Sequence, residues 1–192
     1  MASLLPRDAD ATRARLIAAA TAEFAQYGIA GARVDRIAEA ARANKAQIYH
    51  YYGSKEALFD AVFGAYAQSA TDSGYFDADD LPETAGRIFD QFTAAPELIR
   101  LATWYRLERS GQPETIAAIA EANLAKIEAI RDAQTRGVVT TRFAPEIVLA
   151  LMLTLVTGWG DLPPEFADLL GSYTTASRRQ LTVEAVERLV SP

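Results

Sequence analysis

Apolar residues recur at helical spacing through almost the whole chain, and no segment sustains a two-residue alternation. Such a chain must fold as helices that bury one stripe each against their neighbours. The one β-prone stretch, Val138-Val139-Thr140-Thr141, is too short and isolated to build a sheet. The expected fold class is therefore all-α, with about nine helices. Leu16, Ile17, Ala20 and Phe24 form the first stripe, behind a cap at Thr12 and ahead of a stop at Gly28. Val34, Ile37, Ala38 and Ala41 mark a short second helix, which ends in a tight turn at Arg42-Ala43. Asn44 is suited to cap a third helix, 45–51, and Ser54 a fourth that buries Ala57, Leu58, Ala61 and Val62. After an acidic loop over 72–80, five more helices are expected at 81–94, 96–109, 113–136, 145–159 and 164–190. Breaks are expected at Pro96, Gly111-Gln112-Pro113, Gly137 and 158–164, and near Gly171 within the last helix.

Several function classes fall away on composition. The chain has no cysteine and one histidine, His50, so disulfides, thiol nucleophiles, thiolate metal sites and histidine-rich metal sites are excluded. There is no nucleophile–base pair at a recognisable spacing and no phosphate loop. Asp77-Ala78-Asp79-Asp80 lacks the glycine and the distal glutamate of a calcium loop. No catalytic residue, cofactor or metal is expected. The first residues lack the apolar run of a signal peptide, and Ile147–Val156 is too short to span a bilayer, so a soluble cytoplasmic protein is expected.

The net charge of −6 is unevenly spread. Residues 1–60 carry 8 Lys/Arg against 7 Asp/Glu, whereas 61–192 carry 11 against 18. Such a chain is a poor indiscriminate polyanion binder, and any DNA contact must use one defined surface in its N-terminal third. That third contains two short helices joined by a tight turn, the arrangement of a helix-turn-helix. Its second helix opens Asn44-Lys45-Ala46-Gln47, at the end that meets base edges in a major groove. Lys45 can reach a guanine edge or a phosphate, and Gln47 can pair with adenine. Ala46 permits close approach to a thymine methyl, and Ile48 points back into the small core.

The segments Ile37-Ala38-Glu39-Ala40-Ala41 and Ile48-Tyr49-His50-Tyr51-Tyr52-Gly53-Ser54-Lys55-Glu56-Ala57-Leu58-Phe59 closely resemble the signature of the TetR family of repressors. Ala19 to Gly28 resembles that family's first helix, so the likeness covers Thr12 to Val62. The resemblance implies a helix-turn-helix domain over 1–60 and a helical ligand-sensing and dimerisation domain over 61–192. Carried over by position, Lys45, Ala46, Gln47 and Tyr49 face the major groove, while Tyr51 and Lys55 hold phosphates. Arg33 or Arg36 adds a phosphate contact, and His50 lies on the surface or phosphate side. Two departures stand out: Arg42 occupies the turn where the family usually has Gly, and Ala32-Arg33-Val34 stands where it often has Thr or Ser. Arg42 implies about 1 kcal/mol of strain at a positive φ, together with extra positive charge near DNA.

The resemblance also implies an operator-bound homodimer and a small-molecule ligand of apolar character. Phe92, Trp104, Tyr105, Met152 and Trp159 are the expected pocket residues, with Glu108 beside them for a polar group. The last two helices are expected to form the dimer interface, through Ile147, Val148, Leu151, Leu155 and Val156 and through Leu181, Val183, Val186, Leu189 and Val190.

Overall fold

A computed structural model describes residues 6–72, 76–111, 115–160 and 162–192. The expected breaks at Gln112 and Pro113 lie outside these residues, as does the middle of the 72–80 loop. The described residues form ten α-helices and no strand. They are α1 (Pro6–Gly31), α2 (Val34–Ala40), α3 (Lys45–Tyr52), α4 (Lys55–Asp72), α5 (Leu81–Ala94), α6 (Pro96–Arg109), α7 (Ala117–Thr135), α8 (Pro145–Thr157), α9 (Glu165–Leu169) and α10 (Thr175–Val190). A 3-10 turn, Gly158–Gly160, follows α8. The expected break near Gly171 is real and separates α9 from α10, which takes the count from nine to ten. Thr12 lies inside α1 and not at its start. Val138 to Thr141 forms no strand; the Thr140 N–H donates to the Val190 carbonyl, and the Gln134 amide ties the Thr140 and Phe143 carbonyls together.

The chain divides into two compact units, Met1–Tyr66 with Arg100–Ile116, and Ala67–Ile99 with Ala117–Pro192. The sequence alone suggested a single cut near residue 60; the body of α6 groups instead with the N-terminal helices. In the first unit Leu16, Ala20, Phe24, Ile37, Ile48, Leu58 and Phe59 are fully buried. Phe24 meets Phe59 edge-on at 5.2 Å between centroids, and Tyr105 stacks on Phe63 at 4.8 Å. In the second unit α10 runs along α5, and α8 packs on α5, α7 and α10. Gly86 permits the α5–α10 approach, because a Cβ there would stand 2.8 Å from the Arg179 guanidinium. Arg179 bonds both Glu83, at 2.6 Å, and Asp90, at 2.8 Å, on α5.

Val148, Met152, Val156, Val186 and Val190 are buried core residues. Ile147, Leu151, Leu155, Leu162, Phe166 and Leu181 remain exposed, so α8 and α10 are apolar on a second face as well. No helix among the described residues is long and apolar enough to cross a membrane.

Candidate nucleic-acid interface

Two backbone hydrogen bonds close the turn between α2 and α3. The Ala43 N–H donates to the Ala38 carbonyl and the Arg42 N–H to that of Glu39, the paired bonds of a Schellman motif. That motif needs a left-handed residue, and Arg42 supplies it at φ 51°, the only non-glycine residue with positive φ among those described. The strain inferred for this position is thus present in the fold. Arg15 braces the turn by donating from Nε to the Ala41 carbonyl at 3.1 Å. The Arg42 side chain itself is exposed.

Asn44 starts α3 as expected, its Oδ1 accepting from the Ala46 N–H at 2.7 Å. Gln47 completes a capping box, its Oε1 accepting from the Asn44 N–H at 2.9 Å. This bond was not anticipated, and it occupies the acceptor that a bidentate pairing with adenine would use. Lys45 forms an ion pair with Asp35 of α2, and Arg33 reaches the same carboxylate at 3.5 Å. Tyr49 is half exposed, His50 is exposed and Ile48 is fully buried, so α3 turns its polar and aromatic face outward. The Arg13 guanidinium lies 5.0 Å from the centre of the Tyr51 ring, over its face.

Two of the residues expected to hold phosphates also bond within the protein. Arg36 donates from Nε to Glu23 at 2.8 Å, and its guanidinium lies 4.3 Å over the Tyr27 ring. Lys55 donates to the Ala30 and Ala32 carbonyls, both at 3.3 Å. Ser54 caps α4 through the Ala57 N–H, as its sequence position implied. Glu23 is the residue that sequence reasoning missed. It is buried, it also accepts the Arg33 N–H at 2.8 Å, and so it fixes the start of α2. Burial alone would push its carboxyl up. The Arg36 hydrogen bond, the Arg33 N–H and the charges of both arginines outweigh this and hold it below its ordinary value of 4.5. Its stabilising effect is therefore present above that pH and is lost as pH falls through the depressed value. Glu23→Gln is expected to cost about 1.5–3 kcal/mol at pH 7 in urea denaturation. That deficit should shrink steadily as the pH is lowered below the ordinary carboxylate range, and a deficit independent of pH would contradict this account.

Within the same unit α6 grips the end of α1. Helix α1 breaks at Gly28, where φ is 70° and ψ is −179°. The Glu108 carboxylate accepts the N–H groups of Ile29, at 2.7 Å, and Ala30, at 3.1 Å. The Arg100 Nε and the Trp104 Nε1 both donate to the Ala25 carbonyl, at 2.9 and 3.3 Å. Arg100, Trp104 and Glu108 are four residues apart and so share one face of α6. Trp104 and Glu108, expected around a ligand, thus serve the DNA-binding unit, as does Tyr105 in its aromatic stack. Met152 is fully buried, whereas Phe92 and Trp159 line a cleft in the second unit. The sequence signal for this division is weak, because Phe92, Trp104, Tyr105, Met152 and Trp159 all read alike as aromatic or thioether residues in helical apolar stretches.

A short helix with an exposed polar N-terminal face, set on a second short helix by a tight turn, defines a helix-turn-helix DNA-binding regulator. The profile of the bacterial regulatory proteins of the tetR family matches residues 16–62. That of the tetracyclin-repressor-like C-terminal domain matches residues 80–188. The chain belongs to the TetR family. The HTH-type transcriptional repressor SCO4008 of Streptomyces coelicolor is 39% identical over 189 residues, covering 96% of this chain and 97% of that protein. SCO4942, a candidate transcriptional regulator from Streptomyces coelicolor, has a crystal structure similar at a TM-score of 0.80 and 38% identity, covering 93% of this chain and 98% of its own. A TetR-family regulator from Marinobacter aquaeolei shares the fold, with a TM-score of 0.75 at 21% identity over 97% of this chain and 98% of its own.

Proposed function

We propose that this regulator is a repressor that holds its operator as a homodimer and releases it when a small molecule binds the second unit. Residues 1–60 supply the DNA contacts, and 61–192 supply sensing and dimerisation. The observation that carries this reading is the outward face of α3, where Lys45, Ala46, Tyr49 and His50 are exposed while Ile48 is buried. Arg33, Arg42 and Tyr51 lie near enough in sequence to flank that face with phosphate contacts. The repressor SCO4008, alike over nearly its full length, supports repression over activation.

Dimerisation rests on the second apolar face of α8 and α10. Ile147, Leu151, Leu155 and Leu181 are each 38–46% exposed in the single chain, an apolar surface of the kind that marks an interface. A twofold axis through it would present two α3 helices to half-sites about 34 Å apart on a near-palindromic operator. The work of such a protein is binding, carried out in the cytoplasm where the DNA lies, and requires no cofactor.

Fluorescence anisotropy on the DNA upstream of its own gene tests the reading. Selective binding over a scrambled duplex is expected, weakening steeply as salt rises because phosphate contacts release counterions. Equal affinity for both duplexes, together with equal binding across a genome-wide selection, would overturn it. Light scattering should give twice the 20.8 kDa chain mass.

A further inference from the structure

The second unit contains a cleft of about 220 Å³, formed by α5, the first turn of α6, the end of α8 with its 3-10 turn, and the start of α10. Its walls are chiefly apolar: Phe89, Phe92, Ile99, Val156 and Trp159. Ile99 is pressed against the 3-10 turn at Gly160, where a Cβ would stand only 2.6 Å from its Cγ2, so that wall is closely packed. Into this setting α10 delivers one cation, Arg178. Its Nη2 donates to the Leu170 carbonyl at 3.3 Å, and its guanidinium lies 5.8 Å from the Trp159 ring, itself held by a 2.8 Å bond from Nε1 to Thr182. The Arg178 Nε is buried and has no hydrogen-bond partner. No carboxylate pairs with this guanidinium among the described residues.

A permanent cation with no carboxylate partner, at the wall of a mainly apolar cleft, calls for an acceptor. The guanidinium charge favours an anion over a neutral carbonyl, and its planar array of donors matches a planar carboxylate. Thr175, in the first turn of the 16-residue helix α10, also faces the cleft, where the helix dipole favours negative charge. The ring walls suit a flat partner. The volume lies below that of sites for drug-sized ligands, which limits the partner to one or two rings.

We propose that this cleft binds a small aromatic carboxylic acid, its ring among Phe89, Phe92 and Trp159 and its carboxylate on the Arg178 guanidinium. This rests on the reading above that the second unit senses a small molecule, and it names that molecule's class and the residue that reads its charge. No covalent step is involved.

Benzoate, phenylacetate and 1-naphthoate, each with its neutral amide, serve as probes in thermal-shift and calorimetric titrations of the full chain. At least one acid is expected to bind at millimolar concentration or below, and at least about tenfold more tightly than its amide. Arg178→Gln should remove that preference. Arg178→Lys, which keeps the charge but not the planar guanidinium, should lose part of it and stands in if the glutamine variant does not fold. Absence of binding by all three acids, equal binding of acid and amide, or an unchanged preference in both variants overturns the proposal. Anisotropy on the operator, run on the same protein, separates the two readings. Operator binding without acid binding defeats the proposal and leaves the repressor standing. Acid binding without operator release leaves the site standing and defeats the induction mechanism.

Discussion

Gly28→Ala is expected to destabilise the N-terminal unit by roughly 3 kcal/mol, lowering its thermal midpoint by on the order of 10 °C. Two costs add at this position. A backbone at φ 70° and ψ −179° lies in a region that only glycine occupies readily. A Cβ would also stand 2.7 Å from the Glu108 carboxylate and 2.8 Å from the Trp104 ring, and both side chains are tied to α1 and have little room to retreat. Gly53→Ala is the control. It too has a positive φ, of 80°, but nothing lies within 4 Å of its Cβ position, so about 1 kcal/mol is expected there. Equal losses in the two variants, measured by urea denaturation, would show that the grip of α6 on α1 contributes nothing.

Lys45→Ala combined with Tyr49→Ala is expected to weaken operator binding about a hundredfold or more, while leaving the fold intact. Both side chains are exposed and neither supports the core, so thermal stability should stay within about 0.5 kcal/mol of the parent. A lost base-edge contact costs roughly 1–3 kcal/mol, and two lost from each half-site multiply. Lys45 is paired with Asp35, so binding DNA requires that pair to open or to be shared with phosphate. Asp35→Asn should therefore raise affinity for scrambled duplex relative to operator. Retention of selectivity in the double variant would place base readout on another element.

Most helix positions, the turn at Arg42 and the caps at Asn44 and Ser54 were legible in the sequence, because each depends on residues within a few positions of one another, whereas the start of α1 was not. The positive φ at Arg42 is the clearest case, since the resemblance located the turn and the turn's own bonding demands that conformation. The side-chain ties were not legible. Glu108 meets α1 across 79 positions, and Arg179 meets Glu83 across 96. Nothing in the local pattern distinguishes a glutamate that closes a broken helix from one that faces a ligand. For the same reason Arg36 and Lys55 looked like free cations although both are held by nearby oxygens of their own unit. A positive residue near a DNA-binding helix is visible in sequence, but its internal partner is not.

The capping box at the start of α3 bears on how much information an operator must carry. A Gln47 whose Oε1 stays on the Asn44 N–H has only its amide hydrogens to offer a base. Purine N7 accepts such a hydrogen from the major groove in adenine and guanine alike. A glutamine so tethered disfavours only a cytosine edge, which presents the N4 donor, and accepts adenine, guanine or the O4 of thymine, a coarser distinction than a bidentate reader makes. The operator should then tolerate exchange between the two purines at that position, so that more of its identity resides in neighbouring pairs and in the spacing of its two halves.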